Sequence, residues 1–305
     1  MLRFTLRRIL ESIPLLLLLS VLFFVLFQLI PGDYLTEMEL NPSIPSERVE
    51  QLRQEYGLDD HLVVRYMKWA GQIVRGNLGY SFAQRRPAVD LILERLGGTL
   101  TLTVAALFVT LAMAIPLGTL SAVRAGHWPD HLSRAISLVG LSIPVLLSSV
   151  LFLFLAYQTG WFPIGGQEGL QSLVLPALTL ALPSSAFLAR TLRLELIDIL
   201  NQPFMVALLS RGLPRRRLLY HAFRNAANPL ISLTGLMVGG LLSGSVVVEK
   251  VFRWPGLGSL IVDSILTRDL FVALNSVLLA ALLMIASNLI ADLLLALNDP
   301  RIRYQ

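Results

Sequence analysis

The stretch that decides the fold reads NQPFMVALLSRGLP and covers residues 201–214. Asn201 and Pro203 are typical of the start of a short helix, and Gly212 is typical of its C-terminal end. Pro214 then favours the start of a second helix. The first helix is almost entirely apolar. Two helices joined at a defined corner are therefore expected here, rather than a loose tether.

This corner lies in a strongly basic segment that runs from Arg190 to Pro229. It contains seven arginines, and charge-free runs at 169–189 and 225–248 bound it. Pro229 is expected to mark the beginning of the next membrane span. An apolar helix outside the bilayer needs a partner to cover it. The simplest interpretation is a helix pair that docks into another protein's groove; the alternative is a loop helix that rests on the chain's own span ends.

The composition is that of an integral membrane protein. The chain is 55% hydrophobic and only 15% charged, and its mean hydropathy is +0.68. Six charge-free runs reach the roughly 20 residues that cross a bilayer, and we expect an all-α fold with six transmembrane helices. Glycines and prolines near the end of the third run shorten its span to 135–157. The runs are 12–32, 96–123, 135–167, 169–189, 225–248 and 270–291.

The distribution of charge predicts the orientation. With the N-terminus inside, the inside segments hold 14 basic and six acidic residues, and the outside segments hold 11 basic and 14 acidic residues. The positive-inside rule therefore places both termini in the cytosol. This asymmetry accounts for the basic isoelectric point, so no nucleic-acid partner is expected.

The chain lacks residues that several functional classes require. The chain has no cysteine, no phosphate-binding GxxxxGK[ST] loop and no HExxH pair. We therefore expect a non-catalytic chain with no cofactor and no metal of its own. The spans carry no mid-membrane acid or base, which disfavours an autonomous channel or secondary carrier. A membrane-embedded hydrolase has no catalytic constellation to support it.

Two segments are expected outside the membrane. The larger, 31–95, is predicted to hold an amphipathic helix at 46–56 and a surface helix at 62–70, with Trp69 at headgroup level. The second, 249–269, is predicted to form a tight turn and then a helix at 259–266, at the outer mouth of the bundle. The candidate turn residues are Trp254, Pro255, Gly256 and Gly258.

Several blocks of sequence, in a fixed order, carry a resemblance to a known family. Single blocks would be weak evidence, but their order over the whole length is specific. The chain resembles the permease subunits of bacterial ABC importers of the dipeptide/oligopeptide/nickel family. The blocks include PGD at 31–33, GNLGYS at 76–81, RPAV at 86–89, GWFP at 160–163, LPALTL at 175–180, VEKVFRWPGLG at 248–258 and DPRIRY at 299–304.

The resemblance implies a domain organisation: a first transmembrane helix over 1–30, an extracytoplasmic segment over 31–95, and an ABC permease core over 96–305 with a cytosolic coupling loop at 190–228. The family's coupling helix is close to Thr-Ala-Arg-Ala-Lys-Gly, whereas residues 207–212 read ALLSRG and keep only the basic residue and the glycine in character. The expected ATPase-coupling residues are Phe204, Ala207, Leu208, Ser210, Arg211, Gly212, Leu213 and Pro214.

The resemblance also implies the setting and the partners. The chain is expected in the bacterial inner membrane, beside a second similar permease, one or two ATPase subunits that bind ATP and Mg, and an extracytoplasmic solute-binding protein. Small peptides are the expected cargo. Nickel chelates, glutathione and oligosaccharides are the alternatives within the same class.

Overall fold

The structure is a computed structural model that describes residues 2–29 and 60–298, together with positions 45, 47, 50 and 51. Most of the amphipathic helix predicted at 46–56 lies outside the described residues. So does the C-terminal block at 299–304.

The described chain is helical almost throughout, which confirms the all-α prediction. Its one pair of strands is a two-residue hairpin in which Tyr80 pairs with Pro87 and Ser81 with Arg86. The elements are α1 (Leu2–Gln28), α2 (Leu62–Val74), β1 (Tyr80–Ser81), β2 (Arg86–Pro87), α3 (Ala88–Val123), α4 (Trp128–Ser142), α5 (Val145–Thr159), α6 (Gln171–Leu200), α7 (Pro203–Ser210), α8 (Arg215–Val251), α9 (Leu257–Leu266) and α10 (Leu270–Asn298).

Within the described residues, five single helices are long and apolar enough to cross a bilayer: α1, α3, α6, α8 and α10. The span expected over 135–157 is broken rather than continuous. Two helices, α4 and α5, occupy that region with a bend of 102° between them, and the total is six spans if this bent pair counts as one. Pro144 is the physical reason, because it lacks an N–H group and disfavours helical geometry at Ile143, which is extended.

Pro229, which was expected to mark where the next membrane span begins, does not begin a separate helix. It lies inside α8, which continues unbroken from Arg215 to Val251. Neighbouring helices and local adjustment satisfy the backbone group that a proline frees in a membrane helix. At 1.5 Å per residue this helix is about 55 Å long, so it extends well beyond a hydrocarbon core of about 30 Å.

A helix is present over Leu62–Val74, where one was expected over 62–70. The Trp69 side chain is buried against Phe24 of α1 and Leu274 of α10, and its indole nitrogen donates a hydrogen bond to Asn275 Oδ1 at 3.1 Å. A buried indole N–H needs such a partner. Tyr66 also packs in this cluster and shares a hydrogen bond with Ser20.

The chain divides into two compact units. One contains Met1–Ile9, Leu100–Trp254 and Met284–Gln305; the other contains Leu10–Thr99 and Pro255–Leu283. Alanine is frequent in the buried core, and small residues let membrane helices approach closely. In the first unit Gly235 of α8 lies so near α10 that an added Cβ would stand 2.0 Å from the Ala291 Cβ.

Candidate functional site

The corner predicted around residues 201–214 is present. Helix α7 begins at Pro203, after an extended Gln202, and ends at Ser210. Gly212 adopts a left-handed conformation with φ of 78°, and its N–H donates to the Leu209 carbonyl at 2.9 Å. Pro214 is the N-cap residue of α8. The predicted helix start, helix stop and second helix are therefore confirmed.

One side of α7 is held by the protein's own core. Met205 is buried in a cluster with residues of α3, α6 and α8, and Leu208 and Leu213 pack partly against it. The helix is thus attached to the C-terminal end of α6 and the N-terminal end of α8. The buried members of this cluster are Ala122, Leu192, Leu196, Ile199, Met205, Leu218, Ala222 and Ala226.

The other side of α7 is an exposed apolar face, which we define as Phe204, Val206, Ala207 and Leu209. Leu208, which the sequence placed among the coupling residues, is half-buried on the protein's own cluster instead. Val206 and Leu209 were not singled out from the sequence. All of α7 is apolar up to its last residue, so periodicity could not distinguish the inner from the outer side.

The remaining predicted coupling residues lie around the end of α7. Ser210, Arg211, Gly212 and Pro214 are exposed, and Leu213 is half-buried. Arg211 forms the C-cap, where a positive charge interacts favourably with the helix dipole.

A buried ion pair lies at the end of α6, next to the cluster that carries α7. Asp130 of α4 accepts hydrogen bonds from Arg193 of α6 through Nε at 2.6 Å and Nη2 at 2.8 Å. Its carboxylate also accepts from the Ser121 hydroxyl at 2.6 Å and from the Gly126 N–H at 2.9 Å. One carboxylate therefore joins α3, the turn after it, α4 and α6.

No local pattern in the sequence predicts this ion pair. Asp130 and Arg193 are 63 positions apart, so no local spacing connects them. Asp130 is one of the six acidic residues expected on the inside, and its position beside a predicted span end is a weak indication of a buried role.

The turn after α8 is built on buried aromatic side chains. Trp254 is only 2% exposed and Phe252 is also buried, both in a cluster with Leu102, Leu175 and Leu241. The Trp254 side chain therefore packs inside the protein. The Trp254 N–H donates to the Glu249 carbonyl at 2.8 Å.

The loop after α5 packs closely on this turn. The Gly166 N–H donates to the Phe252 carbonyl at 3.0 Å. A Cβ at Gly165 would lie 2.6 Å from the same oxygen, and its φ is +115°. Only glycine tolerates both conditions.

The second half of the turn belongs to the other compact unit. Gly256 is the N-cap residue of α9, which begins at Leu257 rather than at the predicted 259. The Leu257 N–H donates to Thr99 Oγ1 at 2.8 Å. Leu257 and Leu260 are buried against Ala88, Leu91 and Ile92, and Gly258 is also buried. Helix α9 is therefore fixed against the first turns of α3.

Asp269 connects the small hairpin to the start of α10. The Ser81 hydroxyl donates to its carboxylate at 2.5 Å. Burial raises the pKa of Asp269 above its usual value, although the Ser81 hydroxyl and the backbone N–H groups of Ala83 and Val272, which hydrogen-bond the carboxylate, lower it in part. Asn275 completes the connection by donating to the Leu78 carbonyl at 2.7 Å.

The described residues contain no group of three or more His, Cys, Asp or Glu side chains that could hold a metal ion. The described residues thus present an exposed helix corner and a buried, hydrogen-bonded turn, in a chain with several helices that are long and apolar enough to span a membrane.

Comparison with known proteins identifies the family. Residues 114–304 match the model of the binding-protein-dependent transport system inner membrane component, and residues 1–103 match the model of its N-terminal part. The chain belongs to this family. It is a multi-pass permease subunit of an ABC importer.

Curated relatives match the chain over its full length. It is similar to the oligopeptide transport system permease protein AppB of Bacillus subtilis, with 40% identity over 99% of both chains. It is also similar to the glutathione transport system permease protein GsiC of Escherichia coli, with 37% identity over 100% of both. These relatives are transport subunits.

The fold is also that of a solved permease. A chain of the inward-facing MetNI methionine ABC transporter aligns with a TM-score of 0.58 and 18% identity, covering 69% of this chain and 97% of that one. This likeness shows a shared fold.

Proposed function

We propose that this chain forms half of the path by which small peptides enter the cell after delivery by an extracytoplasmic binding protein. The second half would be a similar permease, and one or two ATPase subunits would bind ATP and Mg. The observation that carries the cargo assignment is the full-length similarity to an oligopeptide permease. Glutathione is the second candidate, because a glutathione permease is nearly as similar.

Cargo is tested by purifying the partner binding protein and identifying the solute that co-purifies with it. A mixture of short peptides supports the proposal. A single compound such as glutathione, a nickel chelate or an oligosaccharide would replace peptides as the cargo.

We propose that the exposed apolar face of α7 docks into a groove of an ATPase subunit. Two observations support this. Phe204 is 40% exposed and Val206 and Leu209 are 53% and 58% exposed, whereas Met205 on the opposite side is buried. Burying the remaining surface of Phe204 contributes roughly 1 kcal/mol, since full burial of such a side chain is worth about 1.5–3 kcal/mol.

Coupling requires that a displacement of α7 by the ATPase be transmitted to the membrane helices. The cluster around Met205 transmits it to α6 and α8 by close packing. The corner at Gly212 and Pro214 sets the direction of α8. The hydrogen bonds of Asp130 hold the end of α6 to α4. A movement of α7 is thus expected to displace these helices together.

The test introduces a charge on the docking face. Ala207→Asp should release the ATPase subunits from the purified complex or separate ATP hydrolysis from uptake. The matched control is Ala125→Asp, an exposed alanine in the turn between α3 and α4. Retention of the ATPase subunits and of full substrate-stimulated transport by the Ala207 variant would show that α7 is not the coupling element.

We propose that the turn before α9 lies at the outer mouth, where α9 gates cargo or meets the binding protein. The buried Trp254 and the hydrogen bond from Leu257 to Thr99 support a rigid turn. Pro255→Gly adds backbone freedom without emptying the core and should lower uptake while leaving assembly intact. Normal uptake by this variant would remove the gating role.

We propose that both termini lie in the cytosol, on the basis of the charge asymmetry. The chain has no native cysteine, so single cysteines report sidedness directly. Glu168→Cys should react with an impermeant thiol reagent from outside, and Arg216→Cys only after the membrane is opened. The reverse pattern would invert the topology.

A further inference from the structure

A cavity of about 360 Å³ lies between α4 and α6, with Ser121 of α3 at its wall. Its volume is within the range of small-molecule sites, about 300–1,000 Å³. Three arginines, three serines and three leucines contribute most of the lining. The cavity is therefore basic at one part of its wall and apolar at another.

The charges of the wall do not cancel. Arg134, Arg190 and Arg193 line the cavity, and Asp130 is the carboxylate that contacts this group. The Asp130 carboxylate already accepts four hydrogen bonds, two from Arg193 and one each from Ser121 and Gly126. With one negative charge against three positive ones, the formal charge at the wall is about +2.

Two polar groups of the wall have no partner of their own. Arg190 makes no hydrogen bond or ion pair with any described residue, and it is exposed. Ser137 also lines the cavity, and its hydroxyl has no hydrogen-bond partner among the described residues. A hydroxyl can donate to an acceptor oxygen of a ligand. A ligand with several acceptor oxygens would satisfy both groups.

We propose that this cavity binds a phosphate group. Phosphate offers planar pairs of oxygens that match a guanidinium and further acceptors for a hydroxyl. Its source is either an anionic lipid headgroup or a soluble phosphate compound. Arg190 and Ser137 bind the oxygens, and Arg134 supplies additional positive charge. Basic pockets between membrane helices on the cytoplasmic side bind anionic headgroups in other proteins, and the leucines of the wall suit the start of an acyl chain.

The experiment uses the assembled importer, purified in detergent and stripped of lipid. Thermal unfolding is followed while dioctanoyl phosphatidylglycerol, dioctanoyl phosphatidylcholine or inorganic phosphate is added. A ligand that binds only the folded state stabilises it by RT ln(1 + [L]/Kd), so the unfolding temperature rises with the ligand concentration relative to Kd. The variants are Arg190→Gln and Ser137→Ala, and the control is Arg216→Gln, which removes the same charge from an exposed position at the start of α8.

Stabilisation that grows with the concentration of phosphatidylglycerol, and none by phosphatidylcholine, is expected. Arg190→Gln should weaken it roughly ten-fold, as expected for one charge-assisted hydrogen bond, and Arg216→Gln less than about two-fold. Stabilisation by inorganic phosphate with the same response to the variants assigns the site to a soluble ligand. Three results would overturn the proposal. The Arg190 and Arg216 variants could weaken phosphatidylglycerol binding equally, the two lipids could stabilise the protein equally, or none of the three compounds could stabilise it.

Discussion

Replacing Asp130 by alanine should destabilise the permease strongly. The change removes four hydrogen bonds, two from Arg193 and one each from Ser121 and Gly126. It also leaves the Arg193 guanidinium without its counter-charge, although its side chain is only 17% exposed. Breaking a buried pair on one side costs about 3–5 kcal/mol. Because the adjoining cavity admits water to Arg193, we expect the lower end, about 3 kcal/mol.

The measurement is the free energy of unfolding of the purified chain in mixed micelles, titrated with denaturing detergent and followed by circular dichroism. Asp198→Ala is the control, since Asp198 is an exposed carboxylate on α6. A double-mutant cycle with Arg193→Ala isolates the pair, because the double variant leaves no unpaired charge. Its total cost should be smaller than the sum of the two single variants.

Two results would refute this reasoning. The first is a loss for Asp130→Ala no larger than that for Asp198→Ala. The second is strict additivity in the double-mutant cycle, since an ion pair that holds α4 to α6 must show coupling.

Two further predictions concern a helix contact and a buried acid. Gly235→Ala should destabilise the protein severely, because the new methyl would lie 2.0 Å from the Ala291 Cβ. Gly240→Ala is the control, since the space beside Gly240 is open and its stability should change little. The unfolding midpoints of the two variants are compared. Burial raises the pKa of Asp269, so the folded state binds a proton more tightly than the unfolded state does. The free energy of unfolding should therefore fall as pH rises from the pKa of the unfolded state through that of the folded state. Asp269→Asn keeps an acceptor for Ser81 and should abolish that decline; an unchanged pH dependence in the variant would assign it to other groups.

The positions of the helices followed from local features of the chain. Long apolar runs predict spans because each must cross the same thickness of hydrocarbon, and Pro203 and Gly212 act on the backbone of their own neighbours. The corner around α7 was therefore predictable almost to the residue. A proline has two possible effects on a helix, and the local sequence does not say which one occurs: Pro144 separates two helices, whereas Pro229 lies within one.

Contacts between distant residues were decided by the tertiary structure alone. Asp130 and Arg193 are 63 positions apart, and Trp69 and Asn275 are 206 apart. Nothing in the local pattern connects either pair. Tertiary packing also decides which side of α7 is buried. The sequence of an all-apolar helix does not distinguish its sides, and only the packing of Met205 on α6 and α8 does so. A sequence limits where helices form through short-range sterics and hydropathy, whereas the pairing of buried polar groups depends on which helices come together.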